Sequence, residues 1–125
     1  RSVDAMTNST IVQQFFDSYT RALLGRDSKA IAEHYAVPAL IEFPEHPIAV
    51  SEASQTEQFF SGAFGQYEAV STTHATIKVV AETGHSIWAD VTWTHDAGVP
   101  SEHFIYQLVR DSESWKIAVL TPLDT

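Results

Sequence analysis

The spacing of apolar residues changes period once along the chain, near residue 70. Before that point they recur every three or four positions, and after it every second position. Ile11, Phe15, Tyr19, Ala22 and Leu23, with Val12 and Phe16 alongside, form one face of a long helix. Asn8, Ser9 or Thr10 caps its start, Thr10 in a capping box with Gln13. Gly25, in the run Gly25-Arg26-Asp27, stops it. Asp27 or Ser28 caps a second, short helix with Ala30, Ile31 and Tyr35 on its inward face. Val37-Pro38 ends that helix, because the residue before a proline avoids helical angles. Leu40–Phe43 predicts a short strand, Pro44-Glu45-His46-Pro47 a stiff loop, and Ile48–Ser51 another short strand. Ser54 and Glu57 form a capping box for a third helix, with Phe59, Phe60, Ala63, Phe64 and Tyr67 at helical spacing.

Four strands follow at period two: Thr73–Ala81, Ser86–His95, Glu102–Arg110 and Trp115–Leu120. Their short, turn-rich connections predict antiparallel hairpins. Helices first and a meander second indicate an α+β domain, with helices packed on one sheet face. If the sheet curves strongly, it leaves a cavity beneath the helices.

Parity assigns the faces. Ile87, Ala89, Val91, Trp93 and His95 share the more apolar side of their strand and should face the helices. Glu102, Phe104, Tyr106, Leu108 and Arg110 alternate with His103, Ile105, Gln107 and Val109. Ala118 and Leu120 oppose Ile117 and Val119. Apolar residues therefore occur on both faces. Trp88, Ile105, Val109, Ile117 and Val119 predict an outer patch suited to a homodimer.

Composition narrows the functional classes. With 16 acidic and 7 basic residues the net charge is −9. No Lys/Arg cluster exists to neutralise phosphates, which argues against nucleic acid and an anionic membrane as partners. A small, mostly apolar molecule is the better match. The absence of cysteine removes disulfides, thiolate nucleophiles and Cys-based zinc sites, and leans toward the cytoplasm. No apolar run is long enough to span a bilayer. Met6 reads as the natural initiator. Residues 1–6 are expected to be disordered or derived from cloning, and 7–125 to form a single domain. The histidines lack metal-ligand spacing, and there is no Gly-rich phosphate loop or nucleophile elbow, so no metal or cofactor is expected.

The runs 15–23, Gly25-Arg26-Asp27, 30–36 and 39–44 resemble the NTF2-like superfamily, closest to its ketosteroid-isomerase and SnoaL-like branch. Gln107-Leu108-Val109-Arg110-Asp111 and Ser114-Trp115-Lys116-Ile117 resemble that family's last hairpin. The resemblance implies an α+β cone, a strongly curved, mostly antiparallel sheet wrapped around N-terminal helices, with an apolar pocket and a dimer. It places Tyr19 where ketosteroid isomerases keep the tyrosine that donates to the substrate oxygen, and Tyr35 where they keep a second one at the end of helix two. Phe59-Phe60 stands for their Phe-Tyr pair. Phe43 occupies the place of the aspartate base, with Glu42 beside it on the opposite strand face. Tyr106 replaces a second, protonated acid. Ketosteroid isomerisation of the family's usual kind is therefore not expected, because proton abstraction needs a base.

The candidate catalytic residues are Tyr19, Tyr35 and Tyr106, which polarise an oxygen, and His95 with Glu102, which form an acid–base pair at a hairpin tip. The expected pocket lining is Phe16 and Leu23 on the first helix, Phe43 on the first strand and Phe59 and Phe60 on the third helix. The later strands add Ala89, Val91, Trp93, Phe104, Leu108 and Leu120. Each candidate has a plainer alternative: a packed tyrosine with a satisfied hydroxyl, or a charge solvated at the rim. Glu45 and His46 could lie over the pocket mouth, and Asp90, Arg110 and Asp124 read as surface charges. Three functions fit. One is a cofactor-independent isomerase, lyase or epoxide-opening hydrolase acting on a small oxygenated hydrophobic molecule. The others are a non-catalytic ligand binder and a dimeric interaction protein. Turnover lost on mutating the tyrosines separates the first, a co-purified ligand the second, and oligomeric state the third.

Overall fold

The computed structural model describes residues 8–123. Residues 1–6, expected to lie outside the domain, and Asp124 fall outside that range. Helix α1 spans Asn8–Leu24 and buries Val12, Phe16, Tyr19 and Ala22, one side chain per turn. It already includes Asn8, Ser9 and Thr10, so none of these is its cap. Its other end is a Schellman motif. The Asp27 N–H bonds to Ala22 O and the Arg26 N–H to Leu23 O. The left-handed position of that motif falls on Arg26, at φ 50°, rather than on Gly25.

Helix α2, Ser28–Ala32, is capped by Asp27, whose carboxylate accepts from the Ala30 N–H at 3.1 Å. The sequence placed Tyr35 on this helix. Instead, Tyr35 opens strand β1, Tyr35–Phe43. The Ile117 N–H donates to His34 O at 2.8 Å, so the sheet takes the chain as soon as α2 ends. Pro38 sits inside β1 at an exposed position where the register to the neighbouring strand shifts. A two-residue turn, Pro44-Glu45, joins β1 to β2, His46–Val50.

Helix α3 spans Ala53–Ala63, followed by a 3₁₀ turn over Phe64–Tyr67. Its capping box uses Glu52 and Gln55, not Ser54 and Glu57. The Gln55 side-chain Oε1 accepts from the backbone N–H groups of Ser51 at 2.6 Å and Glu52 at 2.9 Å.

Strands β3 (Thr73–Glu82), β4 (Ser86–His95), β5 (Glu102–Asp111) and β6 (Ser114–Pro122) complete a six-stranded sheet in the order β2-β1-β6-β5-β4-β3. The pairs are antiparallel except β1 with β6, which are parallel. The result is an α+β fold with a curved sheet. A bulge in β6 leaves Ala118 without a partner, since Leu108 faces Ile117 while Gln107 faces Val119. The extra residue turns Ile117 inward beside Leu120. Both are buried, so Ile117 does not belong to the outer patch.

Packing divides the space beneath the helices. Ile87, Ala89, Val91, Leu108 and Ile117 are wholly buried together with Phe16, Ile31 and Ile41. That half is solid core. Toward the end of β4 and the start of β5 the side chains no longer fill the space. No helix among the described residues is long and apolar enough to cross a membrane.

Candidate functional site

The unfilled space is a cavity of about 470 Å³, within the range that holds small molecules. Leu23 and Tyr19 reach it from α1, Phe43 from β1, and Phe59 and Phe60 from α3. Phe64, Gln66, Tyr67 and Val70 close one side, and Trp93, His95, Glu102, Phe104, Tyr106 and Leu120 form the sheet wall. Pro44, Glu45 and His46 stand at the rim, exposed. The aromatic walls support one another: Phe43 lies 5.3 Å from Phe59 and 5.9 Å from Phe104, between ring centroids.

Polar groups form two clusters in this apolar setting. In the first, the Tyr19 and Tyr35 hydroxyls lie 2.6 Å apart. The Trp93 indole N–H donates to the Tyr106 hydroxyl at 3.0 Å, which leaves that hydroxyl's own proton to be donated elsewhere. Burial raises the pKa of all three phenols well above the usual tyrosine range. The neighbouring phenols add to this, Tyr35 beside Tyr19, Tyr106 beside Tyr35 and Tyr19 beside Tyr106. They stay protonated and act as hydrogen-bond donors.

The second cluster is at the mouth. His95 Nε2 lies 2.9 Å from Glu102 Oε1, and His95 Nδ1 lies 2.7 Å from the Thr73 hydroxyl. With Nε2–H donating to the carboxylate, Nδ1 accepts from Thr73. The Tyr67 hydroxyl donates to Glu102 Oε2 at 2.7 Å. Burial, then the bond to Glu102, raises the Tyr67 pKa. The His95 side chain is 8% exposed and that of Glu102 29% exposed, and both line the cavity together with Tyr67 and Thr73. Each Glu102 oxygen keeps a lone-pair direction beyond its one donor. Among the described residues, no three His, Asp or Glu side chains converge as a metal site.

The sequence candidates therefore separate by depth. Tyr19, Tyr106, His95 and Glu102 line the cavity, as do Leu23, Phe43, Phe59, Phe60, Trp93, Phe104 and Leu120. Tyr35 does not line the cavity; it stands behind Tyr19, hydroxyl to hydroxyl. Phe16, Ala89, Val91 and Leu108 do not line it. They are wholly buried in the core, with the Phe16 ring 5.0 Å from Tyr106 and 6.2 Å from Trp93. Asp90 faces outward and pairs with His103 at 2.7 Å. Tyr67, Thr73 and Arg26 complete the site and were not singled out from the sequence. Tyr67 was legible only as the last aromatic of the third helical run.

A family model described as "NTF2-like protein (DUF6841)" matches residues 8–125. The chain belongs to this NTF2-like family. No curated protein matches it. Among solved structures, an NTF2-like protein of unknown function from Shewanella oneidensis is 12% identical, with a TM-score of 0.77 over 94% of this chain and 100% of the other. A proposed scytalone dehydratase from Novosphingobium aromaticivorans is 11% identical, with a TM-score of 0.73 over 94% of this chain and 84% of the other. A proposed calcium/calmodulin-dependent protein kinase II association domain from Xanthomonas campestris is 15% identical, with a TM-score of 0.63 over 89% and 83%. At these identities the neighbours share the fold. Within the NTF2-like frame, the position the resemblance assigned to a base holds the Phe43 ring, which lines the cavity, while Glu42 is exposed.

Proposed function

We propose that this NTF2-like protein, of the ketosteroid-isomerase and SnoaL-like branch, is a cofactor-independent isomerase or lyase. Its substrate is a small, oxygenated, hydrophobic molecule. The observation that carries this is that the Glu102 carboxylate lines an apolar cavity that protonated phenols also line. Proton transfer next to a carbonyl needs a base, a donor to the oxygen and little water. Glu102 takes the proton from the carbon beside the carbonyl. The bond's electron pair moves into the new enol double bond, and the carbonyl oxygen takes a hydrogen bond from Tyr19 or Tyr106. An isomerase returns the proton to a different carbon. A lyase gives it to a departing hydroxyl, which leaves as water. The neighbour from Novosphingobium aromaticivorans, a proposed dehydratase on the same fold, is compatible with the second outcome.

The test is deuterium exchange at carbons next to the carbonyl of small bicyclic ketones such as 2-tetralone, in heavy water. Exchange above the buffer rate, saturating with ketone, is the expected result. A panel of such ketones showing no exchange above buffer counts against the proposal. A second reading has its own support: both nitrogens of His95 and both oxygens of Glu102 already have partners, as in a site that only binds. Saturable binding without exchange selects that reading.

We also propose a homodimer through the outer sheet face, where Trp88, Ile105, Val109 and Val119 are partly exposed and Leu40 is 36% exposed. Sedimentation velocity at micromolar concentration should give twice the monomer mass. The Ile105→Glu variant should sediment as a monomer, and a monomeric wild type would remove the proposal.

A further inference from the structure

The wall made by residues 64–72 differs from the rest of the cavity in how it is held. It carries Phe64, Gln66, Tyr67 and Val70 against the cavity, yet among its residues only Val70 is buried. Polar bonds hold it from two sides. Arg26 Nη2 donates to the carbonyls of Tyr67 at 2.5 Å, Val70 at 2.9 Å and Glu68 at 3.3 Å, and Nη1 donates to Leu24 O at 3.0 Å. From the bend that follows β4, Asp96 Oδ1 accepts from the N–H groups of Ser71 at 2.9 Å and Thr72 at 3.2 Å, and Oδ2 accepts from the Ser71 hydroxyl at 2.5 Å. These bonds hold the Asp96 pKa below the usual carboxylate range, the Ser71 hydroxyl contributing most. A segment fixed by hydrogen bonds at the surface, with little apolar burial, opens at lower free energy than the sheet it covers.

The backbone of Arg26 points the same way. A left-handed position at a helix end strongly favours glycine, and a Cβ there carries a conformational cost. Gly25 lies one residue away, yet the left-handed position is filled by the residue whose side chain holds the wall.

We propose that residues 64–72 are a lid over the cavity, latched by Arg26 and Asp96, and that Arg26 is thereby a positioning residue for Glu102 through Tyr67. The latched lid keeps the Tyr67 hydroxyl on Glu102 Oε2. Opening admits the ligand and uncovers that oxygen. The link to Glu102 rests on the proton-transfer function proposed above, whereas the lid itself is tested without substrate, so the two fail separately.

The experiment is amide hydrogen exchange on the intact chain, read segment by segment, for wild type, Arg26→Gly and Asp96→Ala. Glycine suits the left-handed position, so Arg26→Gly removes the latch while relieving the helix end. In both variants, exchange across 64–72 should rise at least about tenfold, with β4 and β5 amides unchanged. Tyrosinate absorbance gives a second, independent readout. In the wild type all four phenols are held above their ordinary value, so tyrosinate should appear only with alkaline unfolding. In Arg26→Gly, one tyrosine's worth should ionise near the ordinary value of about 10, ahead of unfolding. Unchanged exchange in 64–72, a rise spread evenly over the sheet, or no early tyrosinate in Arg26→Gly would overturn the proposal.

Discussion

The Glu102→Gln variant is expected to lose about 10²–10⁴-fold of the ketone exchange rate while still binding the ketone. Glutamine keeps the size of the side chain and a carbonyl to accept from one donor. It has no basic oxygen, and its amide places a donor where His95 Nε2–H or the Tyr67 hydroxyl now donates to a carboxylate. The loss should therefore fall on turnover more than on affinity. His95→Gln should cost less, because both of its nitrogens are already bonded and it acts on Glu102 rather than on the ketone. Unfolding midpoints of both variants, measured alongside, separate a lost base from a lost fold. Undiminished exchange in folded Glu102→Gln would move the chemistry to another residue.

The second large effect concerns stability. Phe16→Ala is expected to destabilise the protein by about 3–5 kcal/mol, read as a shift in urea unfolding. Its ring is wholly buried, packed on Tyr19, Trp93 and Tyr106, and its removal leaves a void that its neighbours cannot close. Phe59→Ala should cost about 1–2 kcal/mol, since that ring borders existing space and is only partly buried. Similar costs for the two would mean that the division between solid core and open cavity is drawn in the wrong place.

That division is also where sequence reasoning stopped short. Strand parity placed Ile87, Ala89, Val91 and Trp93 on the inner face correctly, because one buried face fixes the alternation. Parity says nothing of depth along the strand. Ala89 and Val91 are wholly buried in solid packing, whereas Trp93 and His95, further along the same face, meet the cavity. Bulges broke the alternation elsewhere. The unpaired Ala118 sent Ile117 inward against its parity, and no local residue signals it. Tyr35 was displaced from helix to strand by pairing with Ile117, far away in sequence, whose N–H bonds to His34 O just before it. Tyr67 escaped notice because its role depends on a partner 35 residues on and on the helix tightening at Phe64. Arg26 escaped because its acceptors are carbonyls, which composition cannot reveal.

Everything functional here depends on a small molecule entering the space bounded by Trp93, Tyr19 and Glu102. Its most direct test is the indole N–H spectrum of the protein, which has three tryptophans. The Trp93 indole N–H bonds to Tyr106 at the cavity wall, while Trp88 lies on the outer sheet face and Trp115 does not line the cavity. Titration with 2-tetralone should move the Trp93 resonance, assigned by Trp93→Phe, and leave the other two in place. A spectrum in which Trp93 stays fixed while Trp88 or Trp115 shifts, or in which none moves at saturating ketone, would contradict it.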